Sequence, residues 1–268
     1  MQEPAASIHA LEPGIALLRL ERPSRLNALS VPDLQSVHSQ LDQVLADPAL
    51  RVLLLTGAGK GFCAGLNLQS LLGEDGAMHA TVRENMELQH AYAGLVQRLR
   101  DTSVAVIAAV NGVAVGAGMA LALAADVRFA AEQASFHIGA IKIGITAGEC
   151  GISYHLPRLV GAGRAFELML TGRPVTADEA LRIGLVAEVV GQDQLLERAL
   201  QCARQIAANA PYATAHTKRL MWQNLDAPSL QAAIELENHA QVLGLMTADF
   251  QEAVQAFVQK RAPQFQAP

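Results

Sequence analysis

Apolar positions fall along this chain in two distinct rhythms. From Val104 to Val110 they are unbroken, with valine at 104, 106 and 110 and isoleucine at 107, which predicts a strand buried on both faces. Asn111-Gly112 stops that run, since both residues tolerate positive φ. After Val113–Val115, the turn Gly116-Ala117-Gly118 opens onto Met119–Ala125, a stretch of strong helix formers. Arg51–Thr56, with Val-Leu-Leu-Leu at its centre, predicts a second buried strand closed by the glycine-rich loop 57–61, and Ile15–Leu20 predicts an earlier one. Val127–Ala130 and Ser135–Ile138 read as shorter strands.

Elsewhere the apolar positions repeat at helical spacing. Positions 34, 37, 41, 44 and 45 mark a helix behind the N-cap Ser30, with Pro32 and Asp33 in its first turn and Pro48 beyond its end. Helices follow over 83–100, 162–171, 177–183, 193–209, 212–223, 230–245 and 249–261, and no strand is expected after residue 192. Thr146–Glu149 and Thr176–Glu179 both have capping-box spacing. Strands alternating with helices predict an α/β fold. The change to helices alone divides the chain into a core over 1–191 and a C-terminal helical lobe over 192–268. Segment 70–82, with Gly73, Glu74, Asp75 and Gly76, has little pattern and reads as a flap.

Composition narrows the chemistry. At 268 residues, 51% hydrophobic and 17% charged, the chain can bury a large core and is not a disordered one. A net charge of −5 without a run of Lys or Arg gives no footprint for nucleic acid. Cys63, Cys150 and Cys202 are odd in number and far apart, so neither a disulfide framework nor a zinc site is expected. Met1–Ser7 lacks the basic and apolar regions of a secretory leader, and no apolar stretch is long enough to span a membrane. A cytoplasmic protein is the expectation.

A strand feeding a glycine turn feeding a helix gathers free amides and the positive end of a helix dipole at one point, which attracts a negative oxygen. Gly116-x-Gly118 does not continue as a dinucleotide fingerprint, since position 121 is Leu and the nearest acids, Asp126 and Glu132, come too early. Gly57-Ala58-Gly59-Lys60-Gly61 fails as a P-loop, with Leu54 in place of the first Gly and Gly61 in place of Ser or Thr. The apolar, glycine-containing stretch Phe62–Leu68 is a second place where backbone can approach a ligand.

The run Asn27-Ala28-Leu29, the loop Gly61–Leu68, the core Val110–Gly118 with Ala125–Arg128, the segment Leu156–Gly161, Leu170-Thr171-Gly172 and Ala180-x-x-x-Gly184-Leu185-Val186 together resemble the crotonase superfamily, the enoyl-CoA hydratase/isomerase family, in order from about residue 12 to 265. The resemblance implies a spiral of ββα turns, a helical region making trimer contacts, often in a dimer of trimers, and a coenzyme A thioester as ligand. It implies no separate cofactor, because coenzyme A enters as part of the substrate. The backbone amides matching the family's oxyanion donors are those of Leu66 and Ala117. For the coenzyme's phosphates and adenine it points to Arg25, to the backbone of Asn27, Ala28 and Ala64, and to Phe257 and Lys260, which in the family reach a neighbouring subunit.

The sequence departs from the family's hydratases at their two glutamates, whose places hold Ala120 and Ala140. The nearest remaining carboxylate is Glu149, in a segment resembling the one where dienoyl-CoA isomerases carry a catalytic aspartate. One carboxyl can shift a double bond, whereas adding water ordinarily uses two. Glu149 as sole acid/base of an isomerase is therefore the first reading. Hydration through Glu149 is a second, and a non-catalytic acyl-CoA-binding or assembly subunit a third. Glu149 could equally cap a helix with Thr146. Asp126, His137, His155, Cys63 and Cys150 read as structural residues.

Overall fold

The computed structural model describes residues 4–265. The chain runs through β1 (Ala6–Glu12), β2 (Ile15–Leu20), α1 (Val31–Leu45), β3 (Val52–Gly57), β4 (Gly61–Cys63), α2 (Val82–Asp101), β5 (Ala105–Val110), β6 (Val113–Val115) and α3 (Ala117–Ala124). It continues through β7 (Val127–Ala131), β8 (Ser135–His137), α4 (Ile152–Val160), α5 (Ala162–Thr171), β9 (Val175–Thr176), α6 (Ala177–Arg182) and β10 (Glu188–Val190). Four helices complete it: α7 (Leu195–Ala207), α8 (Pro211–Asn224), α9 (Leu230–Leu245) and α10 (Ala248–Gln259).

The unbroken apolar runs become the middle of a six-stranded sheet, ordered β1-β2-β3-β5-β7-β10 and parallel except for the β1–β2 pair. Alternate side chains serve its two faces, as the two-residue strand period requires. Leu18, Leu53, Leu55, Val106 and Ala108 pack towards α1, α2 and α3, while Leu17, Val52, Leu54, Ile107 and Phe129 pack against Leu195, Ala199 and Ala203 of α7. A second sheet, β4-β6-β8-β9, carries the residues that follow each glycine break. Helix α3 lies between these layers with all eight residues buried, which is why it is apolar all round. Its close seat requires glycine: a Cβ at Gly118 would stand 1.9 Å from the Cys63 carbonyl oxygen.

Five strands escape the sequence reading. β1 is a half-buried edge strand, and β4, β6, β9 and β10 have only two or three residues, too few to show a period. The helix behind Ser30 forms as expected, and Asp33 accepts the Ser30 amide at 2.8 Å. The Thr146–Glu149 capping box does not form. Thr146 Oγ1 accepts the Gly148 amide, and α4 begins only after the left-handed pair Cys150 (φ 45°) and Gly151 (φ 82°), across which Ile152 N donates to Glu149 O. The Glu149 side chain is thereby free for another purpose.

Helix α8 is anchored to the sheet by charge. Lys218 is buried, and its ammonium donates to the carbonyls of Leu99 and Val104 at 2.9 and 2.8 Å and pairs with Asp126 at 3.0 Å. Among the described residues no helix is long and apolar enough to cross a membrane.

Candidate active site

The two glycine loops meet. Leu29 N donates to Gly65 O at 2.8 Å and Asn67 N to Leu29 O at 2.9 Å, the pattern of a parallel bridge centred on Leu66. In that pattern the N–H of Leu66 itself points away from Leu29, towards the opposite edge. On that edge lies the turn before α3. A Cβ at Gly65 would stand 2.6 Å from Val115 O and 3.3 Å from the Ala117 amide nitrogen. Ala117 is the first residue of α3, so its amide has no partner inside the helix. Gly116 before it adopts φ 52°, ψ −120°, a conformation open essentially to glycine alone. Its own amide is fixed on His137 O at 3.0 Å.

Two buried asparagines brace the first loop. Asn27 Nδ2 donates to Ala58 O and Gly61 O at 3.0 and 2.8 Å, and Asn111 Nδ2 to Gly59 O and Gly61 O at 2.9 and 3.2 Å. Asn111 Oδ1 accepts the Gly57 amide at 3.0 Å. The sequence shows Asn111-Gly112 only as a chain break, because the carbonyls it holds lie fifty or more residues away.

Glu149 comes from the opposite side. A Cβ at Gly116 would stand 2.9 Å from Glu149 Oε1, so the carboxyl rests directly on the glycine that precedes the Ala117 amide. Glu149 is half-buried, and no hydrogen bond holds its carboxyl among the described residues. Burial pushes its pKa above the usual 4.5. A carboxyl whose folded pKa is raised destabilises the fold once it ionises, and that cost disappears as pH falls back through the folded pKa. Glu149→Gln is therefore expected to raise Tm at neutral pH, with the gain vanishing near pH 4.5; melting curves across that range check it.

The other acid-base candidates are disposed differently. Ala120 and Ala140 are buried and can exchange no proton. Burial pushes the thiols of Cys63 and Cys150 up to about 12, which keeps both neutral. Asp126 accepts from Val106 N, Trp222 Nε1 and Lys218 Nζ, and so is a structural acceptor. Arg100 donates to His155 Nδ1 at 2.9 Å, and burial, with Arg100, lowers that imidazole to about 4.

The residues expected to meet the coenzyme are spread over two regions. Arg25 reaches the Asp33 carboxylate, as does Arg22, and its buried Nε has no hydrogen-bond partner among the described residues. The amides of Asn27, Ala28 and Ala64 donate internally to Arg22 O, Arg25 O and Leu26 O, leaving no N–H for a phosphate at these three positions. Phe257 is 85% exposed on α10, and Lys260 follows in a left-handed cap at φ 53°. A cavity of about 880 Å³ lies under α8–α10, lined in part by Tyr212, His216, Trp222, Leu245 and Phe250, with no wall from Leu66, Ala117 or Glu149.

The Leu66 amide turned away from Leu29, the Ala117 amide without a partner inside α3 and the half-buried Glu149 carboxyl on Gly116 thus come from three neighbouring segments, and donors beside a carboxyl are the parts that oxyanion binding with proton transfer uses. The chain belongs to the enoyl-CoA hydratase/isomerase family, whose model matches residues 10–268, and it is an enzyme of that family. It is 42% identical over 258 residues to the "probable enoyl-CoA hydratase echA12" of Mycobacterium bovis, covering 94% of this chain and 90% of that protein. It is 37% identical over 259 residues to the "1,2-epoxyphenylacetyl-CoA isomerase" of Escherichia coli, covering 95% and 96%. Its fold superposes with a TM-score of 0.89 on a crystal structure of a "probable enoyl-CoA hydratase/isomerase" from Mycobacterium abscessus, at 38% identity over 98% of this chain and 99% of the other. The α/β architecture is thus the crotonase fold.

Proposed function

We propose that the chain shifts double bonds in acyl-CoA thioesters by proton transfer through an enolate, with Glu149 as the single acid/base and the amides of Leu66 and Ala117 as the oxyanion hole. The Glu149 carboxylate takes a proton from the α carbon of a 3-enoyl thioester. The C–H electron pair passes into the carbonyl, whose oxygen becomes negative between the two amides. The Glu149 carboxyl then returns a proton at the γ carbon, the double bond moves to the α–β position, and the enolate charge is discharged. Nothing is oxidised or reduced and no further cofactor enters the balance.

One observation carries the reading: the Glu149 carboxyl rests on Gly116 in the glycine turn, while Ala120 and Ala140 stand where the resemblance places the hydratase glutamates. The raised pKa of Glu149 suits a base that must also give its proton back. Hydration is the second reading, favoured by relatives that carry a hydratase name. Ultraviolet assays on 2-enoyl, 3-enoyl and dienoyl thioesters separate the two. Migration without water addition is the expected result, hydration of the 2-enoyl ester as the main reaction would replace the first reading by the second, and silence across the panel with measurable binding would favour a non-catalytic binder.

The same proposal covers the coenzyme and the assembly. Arg25 supplies local positive charge for the phosphates, and Phe257 and Lys260 would serve a neighbouring subunit's adenine. The helices over 192–268 would form the contacts of a homotrimer or a dimer of trimers in the cytoplasm. Supporting this, α8–α10 expose Met221, Val242, Leu243, Met246, Val254 and Val258, an apolar surface that a lone chain leaves in water.

A further inference from the structure

We infer that Tyr92 is a positioning residue for the oxyanion site: its buried hydroxyl holds the Leu29 carbonyl and so fixes the strand that aims the Leu66 amide. The inference rests on the proposed role of Leu66 and Ala117. Tyr92 lies on the core face of α2, 4% exposed, among apolar neighbours that would accommodate phenylalanine. A hydroxyl in such a place is unfavourable unless it is bonded. Its Oη donates to Leu29 O at 2.5 Å. Leu29 is fully buried, and the same carbonyl receives the Asn67 amide, while the Leu29 amide grips Gly65 O. Leu66 is thus held on both sides by one residue, and Tyr92 is the side chain that holds that residue.

The segment carrying Leu29 needs such a hold. Leu26 and Asn27, immediately before it, both sit in the left-handed region at φ 52° and 59°, which asparagine tolerates but leucine keeps only when its surroundings impose it. Burial drives the Tyr92 phenol far above its ordinary range, with Cys63, Cys150, Asp33 and Glu149 adding to the effect. The hydroxyl therefore stays a donor whatever the state of the base. Tyr92 acts through Leu29 on Leu66.

The test uses cinnamoyl-CoA, whose conjugated thioester absorbs at longer wavelength when its carbonyl is polarised by hydrogen bonds. Wild-type protein should shift the bound spectrum to the red. Tyr92→Phe should bind the probe with unchanged affinity, show a smaller shift, and lower kcat on 3-enoyl-CoA roughly tenfold at constant KM, because a small misplacement of a donor is felt in the transition state. An unaltered shift and kcat in Tyr92→Phe, even with a lower Tm, would overturn the inference and leave the hydroxyl a purely structural group. A wild-type complex with no shift would overturn the oxyanion reading beneath it, and the inference with it. If Tyr92→Phe does not fold, 3-fluorotyrosine incorporated at Tyr92 in a Tyr154→Phe, Tyr212→Phe background sharpens the donor instead; the red shift should then change, and an identical spectrum would overturn the inference.

Discussion

Glu149→Gln is expected to lower turnover of a 3-enoyl-CoA by about 10²–10⁴-fold, the usual contribution of a positioned acid/base, while thioester affinity stays within a few fold. The large effect follows from the surroundings of the carboxyl. Neither alanine at 120 or 140 can take over the proton, both nearby thiols are held neutral by burial, and Asp126 is engaged with three donors. Affinity should survive because the two amides and the coenzyme contacts are untouched. In the wild type the rate should fall as pH drops through the raised Glu149 pKa, since the base must begin ionised, and this acid limb lies above pH 4.5. A pH–rate profile and stopped-time assays of the variant measure both; full turnover by Glu149→Gln would remove Glu149 from the mechanism.

Asp126→Ala is the second large effect, and it concerns stability. The substitution leaves the Lys218 ammonium buried at 4% side-chain exposure with only two carbonyls, and it strips the Trp222 indole and the Val106 amide of their acceptor. Breaking a buried pair by removing one partner typically costs about 3–5 kcal/mol. For a chain of this size each kcal/mol moves Tm by about 2–4 °C, so a loss on the order of 10 °C is expected in thermal or denaturant unfolding. Asp126→Asn, which keeps the shape and one acceptor, should lose less. Equal stability of Asp126→Ala and wild type would show that α8 is held by apolar packing alone.

How far the sequence carries depends on whether the deciding contact is local. The strands over 15–20, 52–57 and 105–110 are legible because burial on both faces leaves an unbroken apolar run, and α1 is legible from Ser30, Pro32 and Asp33. The glycine turns reveal that backbone approaches backbone, but only the structure shows that Gly65 faces Ala117 and that Gly118 faces Cys63. Glu149 emerges in the sequence through the family resemblance and the absence of its usual companions, whereas its placement on Gly116 depends on a left-handed pair at Cys150 and Gly151 that no local pattern announces. Tyr92, Asn111 and Lys218 stay silent in the sequence for one reason. Each looks like an ordinary helix or turn residue, and each acquires its role from carbonyls 50 to 119 residues away.

In the turn 25–29 the left-handed Leu26 and Asn27 fold the backbone back on itself and engage the amides of Asn27 and Ala28 internally, a conformation that no local pattern announces.

If Glu149 moves a proton to and from a thioester whose oxygen is held by the Leu66 and Ala117 amides, solvent hydrogen must enter the substrate at the carbons it serves. Deuterium incorporation into 3-hexenoyl-CoA in deuterated water, followed by mass spectrometry and NMR, tests it directly. Wild-type protein should place deuterium at the α and γ carbons, and Glu149→Gln should leave both protiated over the same time. Equal labelling by the two proteins would contradict the account.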